Sequence, residues 1–182
     1  MADDAGISMH IRPERATDTG EVRALNRAAF ETSMEATLVD ALRERARPIV
    51  SLVADAAGSI VGHILFSPVT LSGHGEVTIM GLAPMAVLPA RQRQGIGSAL
   101  VRAGLENCRQ LGCDAVVVLG HPGFYPRFGF APASRFGICC EYDVPDEVFM
   151  ALEIESGVLR GKSGTIRYDA AFAESLTPPT LT

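Results

Sequence analysis

Val87-Leu88-Pro89-Ala90-Arg91-Gln92-Arg93-Gln94-Gly95-Ile96-Gly97-Ser98-Ala99-Leu100 passes from the end of an apolar strand, through a loop with two arginines and two glycines, into a helix. The first N–H groups of a helix have no intrahelical acceptor and sit at the positive end of its dipole, so a helix start is a natural anion site. Gly95 and Gly97 let backbone amides come close to a phosphate, and Arg91 and Arg93 add positive charge. Residues alone therefore point to a phosphorylated ligand, against the plainer reading of a strand–helix loop with glycines for packing. The ATP-type GxxxxGK[ST] pattern is absent, and Leu100 stands where GxGxxG needs its last glycine. A dinucleotide fold would also place such a loop after its first strand.

Working outward, Val77 to Leu88 is a β-rich run interrupted by Pro84. Proline cannot donate to a ladder, so it marks an edge or a bulge; the apolar flanks favour a bulge. Upstream, Ile49–Ala54 and Ile60–Phe66 read as a hairpin around Gly58. Before them lie a strand over Ile7–Ile11, a helix carrying Val22, Leu25 and Ala29, and a helix from about Glu35 to Arg45 stopped by Pro48. Asp18 with Glu21 predicts a capping box for the first helix. Downstream, Gly95–Leu111 is the clearest helix, with Gly112 at its end. Ala115–Leu119 is valine-rich, as a strand covered on both faces should be. Gly123–Phe128 reads as a short helix and Val148–Ile154 as a late strand. The order β-α-α-β-β-β-α-β-α-β describes one mixed α/β layer structure, a single domain over 1–182 with its core at about 9–170.

The chain has 182 residues with 47% hydrophobic and 20% charged, enough to bury a core. A net charge of −5 argues against a nucleic-acid binder that relies on global positive charge. No run approaches the ~18–20 apolar residues of a membrane span, and the first residues lack a hydrophobic signal core. Cys108, Cys113, Cys139 and Cys140 show no metal-binding spacing and read as reduced, mostly buried thiols. A cytoplasmic protein without a metal is the expectation.

Gln92-Arg93-Gln94-Gly95-Ile96-Gly97 resembles the (Q/R)xxGx(G/A) signature of the GCN5-related N-acetyltransferases (GNAT), preceded by the Val87-x-Pro89 that ends their fourth strand. The resemblance implies a mostly antiparallel mixed sheet with splayed central strands flanked by helices. It also implies that amides of Gln92, Arg93, Gln94, Gly95, Gly97 and Ser98 hold the pyrophosphate of acetyl-CoA. Backbone groups of Met85 and Val87 would pair with its pantetheine arm. His121-Pro122-Gly123-Phe124-Tyr125-Pro126-Arg127-Phe128-Gly129-Phe130 looks like the family's FYxxxGF block, in which the tyrosine acts as general acid toward the departing thiolate. By its residue type alone, Tyr125 is equally a packing aromatic. Together with Val144–Glu153, this block is most similar to the YhbS-like bacterial branch.

The family's usual asparagine after the fifth strand is absent, with His121 and Pro122 in its place. His121 is the first candidate for general base, against a loop histidine bonded to backbone. Glu31 and Glu35, near the first helix junction, are candidates to attract a cationic amine, against solvated helix-end carboxylates. His63 and His74 receive no role. The expectation is an acetyl-CoA-dependent N-acetyltransferase acting by direct attack, with a small-molecule or protein amine as acceptor, no nucleic-acid or membrane partner, and a homodimer as the plausible assembly. An acyl-cysteine route is weaker, because neither motif holds a cysteine. An acyl-CoA-binding module without turnover and a non-enzymatic interaction protein are the alternatives.

Overall fold

The structure, a computed structural model, describes residues 9–175. Its strands are β1 (Met9–Pro13), β2 (Val50–Ala56), β3 (Ser59–Leu71), β4 (Ile79–Val87), β5 (Ala115–Leu119), β6 (Ala131–Pro132), β7 (Ile138–Cys140), β8 (Phe149–Glu153) and β9 (Gly164–Arg167). The helices are α1 (Thr19–Ala29), α2 (Met34–Arg45), α3 (Ile96–Gln110) and α4 (Ala170–Ser175). The main sheet runs β1-β2-β3-β4-β5-β8-β6. Its neighbours are antiparallel except β4 and β5, which are parallel because α3 forms the crossover between them. Ile7, placed in the first strand by its alternation, lies outside the described residues.

Alternation along the strands sorts the core. Leu52, Ala54, Ile64 and Phe66 point toward α3 and meet Ile96, Leu100, Val101 and Cys108. Val53 and Leu65 point the other way, toward Val22 and Leu25 of α1, Leu38 and Leu42 of α2, and Phe172 of α4. Both faces of the central strands are therefore covered, and β5 buries Ala115 through Val118 completely.

The bulge falls at Pro84. Ile64 pairs with Met85 and Phe66 with Leu82, so Ala83 and Pro84 together oppose Leu65. On the other side of β4, pairing with β5 spans Ile79/Ala115 to Leu82/Val118 and then stops. β4 runs on to Val87 while β5 ends at Leu119, and the two strands part. That parting positions the site.

Several sequence expectations change. Asp18 does not cap α1: Asp18 Oδ2 accepts the Arg15 N–H at 2.7 Å and Arg12 Nη1 at 2.6 Å. Glu21 accepts the Ile60 N–H at 3.3 Å instead of closing a capping box. Charge pairing with an arginine six residues earlier, in the preceding strand, competes successfully with a cap worth about 1 kcal/mol. Gly123–Phe128 is only a 3₁₀ turn, Tyr125–Phe128, since prolines at 122 and 126 limit helical hydrogen bonding. β6, β7, β9 and α4 carry too few residues to show a period. Of the four free cysteines, Cys108 and Cys113 are buried, Cys140 is half-buried and Cys139 is exposed.

His63 of β3 is fully buried on the α1 face. Its Nδ1 lies 3.3 Å from Asn26 Nδ2, and its Nε2 lies 2.9 Å from Ser51 Oγ, which donates to Glu14. Both ring nitrogens of a neutral imidazole are thereby satisfied, and burial followed by the nearby Arg43 charge pushes its pKa down to about 3. Among the described residues no helix is long and apolar enough to cross a membrane.

Candidate active site

Where β4 parts from β5, a cavity of about 770 Å³ opens. Its walls come from four places in the chain. Met85, Ala86 and Val87 line it from β4; Arg91, Gln92, Arg93, Gly95, Ile96, Gly97 and Ser98 from the loop and the start of α3. His121, Phe124 and Arg127 follow β5, and Ala29 and Phe30 end α1.

The loop has the geometry of an anion cradle. Gly95 caps α3 in the left-handed region at φ 83°, and Arg93 is left-handed as well at φ 61°. Turns of this kind make successive N–H groups converge on one point. The first α3 hydrogen bond is Ala99 N–H to Gly95 O at 3.0 Å, so the N–H groups of Ile96, Gly97 and Ser98 precede the helical ladder. Among the described residues no side chain caps them, and no acidic residue occupies the first turn. Arg91 Nε is likewise buried without a hydrogen-bond partner among the described residues, beside this cradle.

Gly97 faces the strand end directly. A β-carbon there would stand 3.5 Å from Met85 Cε and 3.6 Å from Phe124 Cζ. Three segments named from the sequence thus meet: the loop, the end of β4 and the aromatic block after β5. Gln92 Nε2 donates to Val87 O at 3.3 Å and Gln94 Nε2 to Ala90 O at 3.3 Å, so both amides turn back on their own loop. Gln94 is not among the lining residues.

His121 lines the cavity and remains exposed. Its Nδ1 accepts the Gly123 N–H at 3.0 Å, which in the neutral ring leaves the proton on Nε2. Tyr125 is 3% exposed and sits behind the wall, packed edge-on against Phe124 (centroids 5.0 Å apart) and Phe130 (5.7 Å). Burial pushes its phenol pKa well up, which keeps the hydroxyl protonated across the neutral range.

Glu31 and Glu35 follow Phe30 along the chain but do not line the cavity, and Glu35 accepts the Thr32 hydroxyl at 3.1 Å. Residues not singled out from the sequence do contribute. Arg127 stands over the Phe124 ring at 4.8 Å and donates to Gly123 O at 3.1 Å, bringing a third cation to the lining beside Arg91 and Arg93. Its signal was at most its place in the aromatic block, because its nearness to the loop is a tertiary contact. Ala29 and Phe30 carried no local signal. No carboxylate appears in the described lining, so in a chain of net charge −5 this cleft is cationic and suits an anionic ligand.

Comparison with known proteins gives the family. The model of the acetyltransferase (GNAT) family matches residues 18–130. The uncharacterized N-acetyltransferase YjhQ of Escherichia coli is 44% identical over 145 residues, 78% of this chain and 79% of YjhQ. The crystal structure of the E. coli GNAT family N-acetyltransferase YhbS in complex with CoA superposes with a TM-score of 0.88 at 33% identity, covering 95% of this chain and 96% of that one. A GNAT family acetyltransferase from Brucella melitensis in complex with acetyl-CoA gives a TM-score of 0.76 at 38% identity, covering 91% and 98%. The chain belongs to the GNAT family of acetyltransferases.

Proposed function

We propose that this protein transfers the acetyl group of acetyl-CoA to a primary amine by direct attack within a ternary complex. The observation that carries this reading is the cradle at the start of α3, opening into the gap between β4 and β5. Free N–H groups of Ile96, Gly97 and Ser98 meet the charges of Arg91, Arg93 and Arg127 there. Coenzyme A fits these residues. Its pyrophosphate would take the amides and satisfy the buried Arg91 Nε, and its pantetheine would run along the β5 side of β4 at Met85 and Val87, beyond the last β4–β5 pair. The structures of YhbS with CoA and the Brucella protein with acetyl-CoA support the same ligand.

In this reading the amine nitrogen bonds to the acetyl carbon as the carbon–sulfur bond breaks. Tyr125, kept protonated by burial, supplies a proton to the sulfur. Glu31 and Glu35, next along the chain from the Phe30 wall, draw a cationic acceptor toward that end of the cleft by charge. A second reading, acyl-CoA binding without turnover, draws on the described lining, which offers no carboxylate base.

Thermal unfolding with excess acetyl-CoA, with ATP and NADH as controls, tests the ligand. At about 100 times its Kd, a specific ligand stabilises the folded state by ~2.7 kcal/mol. A rise in Tm with acetyl-CoA alone is expected; no rise overturns the reading. Release of free thiol in the presence of an amine panel then separates turnover from binding.

A further inference from the structure

We propose that His121 serves the cleft as a hydrogen-bond donor through Nε2–H, and that it is not the base that takes the amine proton. This assignment rests on the acetyltransferase reading and refines the chemistry of the same site. His121 has the right place for either role: it lines the cavity, is exposed, and lies just beyond the end of β5. Its other nitrogen decides between them. Nδ1 accepts the Gly123 N–H at 3.0 Å, so its lone pair is committed to the backbone. A neutral ring held this way carries its proton on Nε2 and shows the cleft an N–H.

For Nε2 to accept a proton from the amine, the ring would first have to move its own proton to Nδ1. Nδ1–H and the Gly123 N–H would then face each other, two donors with no acceptor between them. The imidazolium has the same conflict. The tautomer that suits the backbone is therefore the one that cannot act as base toward the cleft.

A donor does fit what the lining needs. Acyl transfer places negative charge first on the acyl oxygen and then on the sulfur, and a fixed N–H aimed at such charge lowers the barrier without itself changing protonation. The bookkeeping of the reaction closes without a proton stored on His121. The cationic amine first sheds one proton to solvent water; the N–C bond then forms, the C–S bond breaks, and the second proton lost by nitrogen ends on sulfur, carried by the Tyr125 hydroxyl or by water. The Arg127 side chain, bonded to Gly123 O at 3.1 Å, braces the same turn and with it the N–H that fixes the ring.

Two measurements test this on the intact protein with acetyl-CoA as the probe. Two-bond ¹H–¹⁵N correlation spectra of the acetyl-CoA-saturated protein should show His121 as the Nε2–H tautomer. A His121 signal with the proton on Nδ1 overturns the assignment, whether or not an amine substrate is known. In thiol-release assays, His121→Ala should lose about 100-fold in kcat, while His121→Gln, which keeps an N–H donor but has no basic nitrogen, should recover most of that loss. Equal loss in the two variants, both still shifted in Tm by acetyl-CoA, identifies a base and sinks the donor role. If acetyl-CoA fails to shift the Tm of the unaltered protein, the acetyltransferase reading itself fails, and this assignment falls with it.

Discussion

The ring of Tyr125 lies on the backbone of Gly120. A β-carbon at position 120 would come within 2.1 Å of Tyr125 Cε2 and 2.6 Å of Cδ2, far inside contact distance. Gly120 is buried at the end of β5, where its N–H donates to Val148 O at 2.9 Å. The strand end is thus pinned from one side while the phenol packs on the other. Only a residue without a side chain permits that approach.

Gly120→Ala should therefore displace the phenol more than it disturbs the cradle 20 or so residues earlier in the chain. The expected cost is ~1–3 kcal/mol of stability from overpacking. Turnover should fall toward that of Tyr125→Phe, about 100-fold below the parent. Acetyl-CoA affinity should change little in either variant. Calorimetric titration beside thiol-release kinetics checks this, and equal losses of affinity and rate would identify Tyr125 as a structural residue.

At the cradle, a side chain at Gly97 is expected to matter only by its charge and bulk toward a ligand. In the free protein a β-carbon has ordinary contacts with Met85 and Phe124, so Gly97→Ala should fold normally. Gly97→Glu places a carboxylate among the free amides of α3 and should abolish acetyl-CoA binding at an unchanged Tm. Retained affinity in Gly97→Glu would remove the cradle from the binding site.

Gly104 tests the α3 face of the core. A β-carbon there would stand 2.2 Å from Cε2 of the fully buried Phe66. Gly104→Ala gains up to ~1 kcal/mol in helix propensity but forces Phe66 to move, at ~1–3 kcal/mol. Net destabilisation is expected, read as a lower urea midpoint with an unchanged slope.

Acid should weaken the fold in two windows. Between about 6.5 and 3 the unfolded chain binds a proton at His63 that the folded protein refuses, because burial holds the folded pKa at about 3. Stability therefore falls as pH drops through that range, by up to ~1.4 kcal/mol per pH unit. Asp18, held at about 2 chiefly by the Arg12 hydrogen bonds, contributes stability above its ordinary value near 3.8 that is lost as pH falls toward 2. Urea unfolding from pH 7 to 3 should show a shallower slope between pH 6 and 4 in His63→Gln and no change there in Asp18→Asn.

The division between what was legible in the chain and what was not follows the range of the interactions. A helix start with free amides is a local property of ten or so residues, so Gly95, Gly97, Ser98 and their flanking arginines could be read from order and residue type alone. The bulge followed from Pro84, because a missing N–H is a covalent fact wherever the strand lies. The central position of β5 followed from its unbroken apolar run. By contrast, Arg12 is held by Asp55, 43 positions away, while it takes Asp18 from the cap, and the pairing of β9 with β3 joins residues about a hundred positions apart.

Fold class, anion cradle and aromatic block are thus written in residue order, since each draws on short-range backbone and side-chain chemistry. Packing settled the rest. It placed Tyr125 behind the wall, left Glu31 and Glu35 off the lining, brought Arg127 to the loop and turned Nδ1 of His121 onto Gly123. Those outcomes depend on how separate segments pack in space, and packing is settled by the whole core rather than by any one stretch of chain.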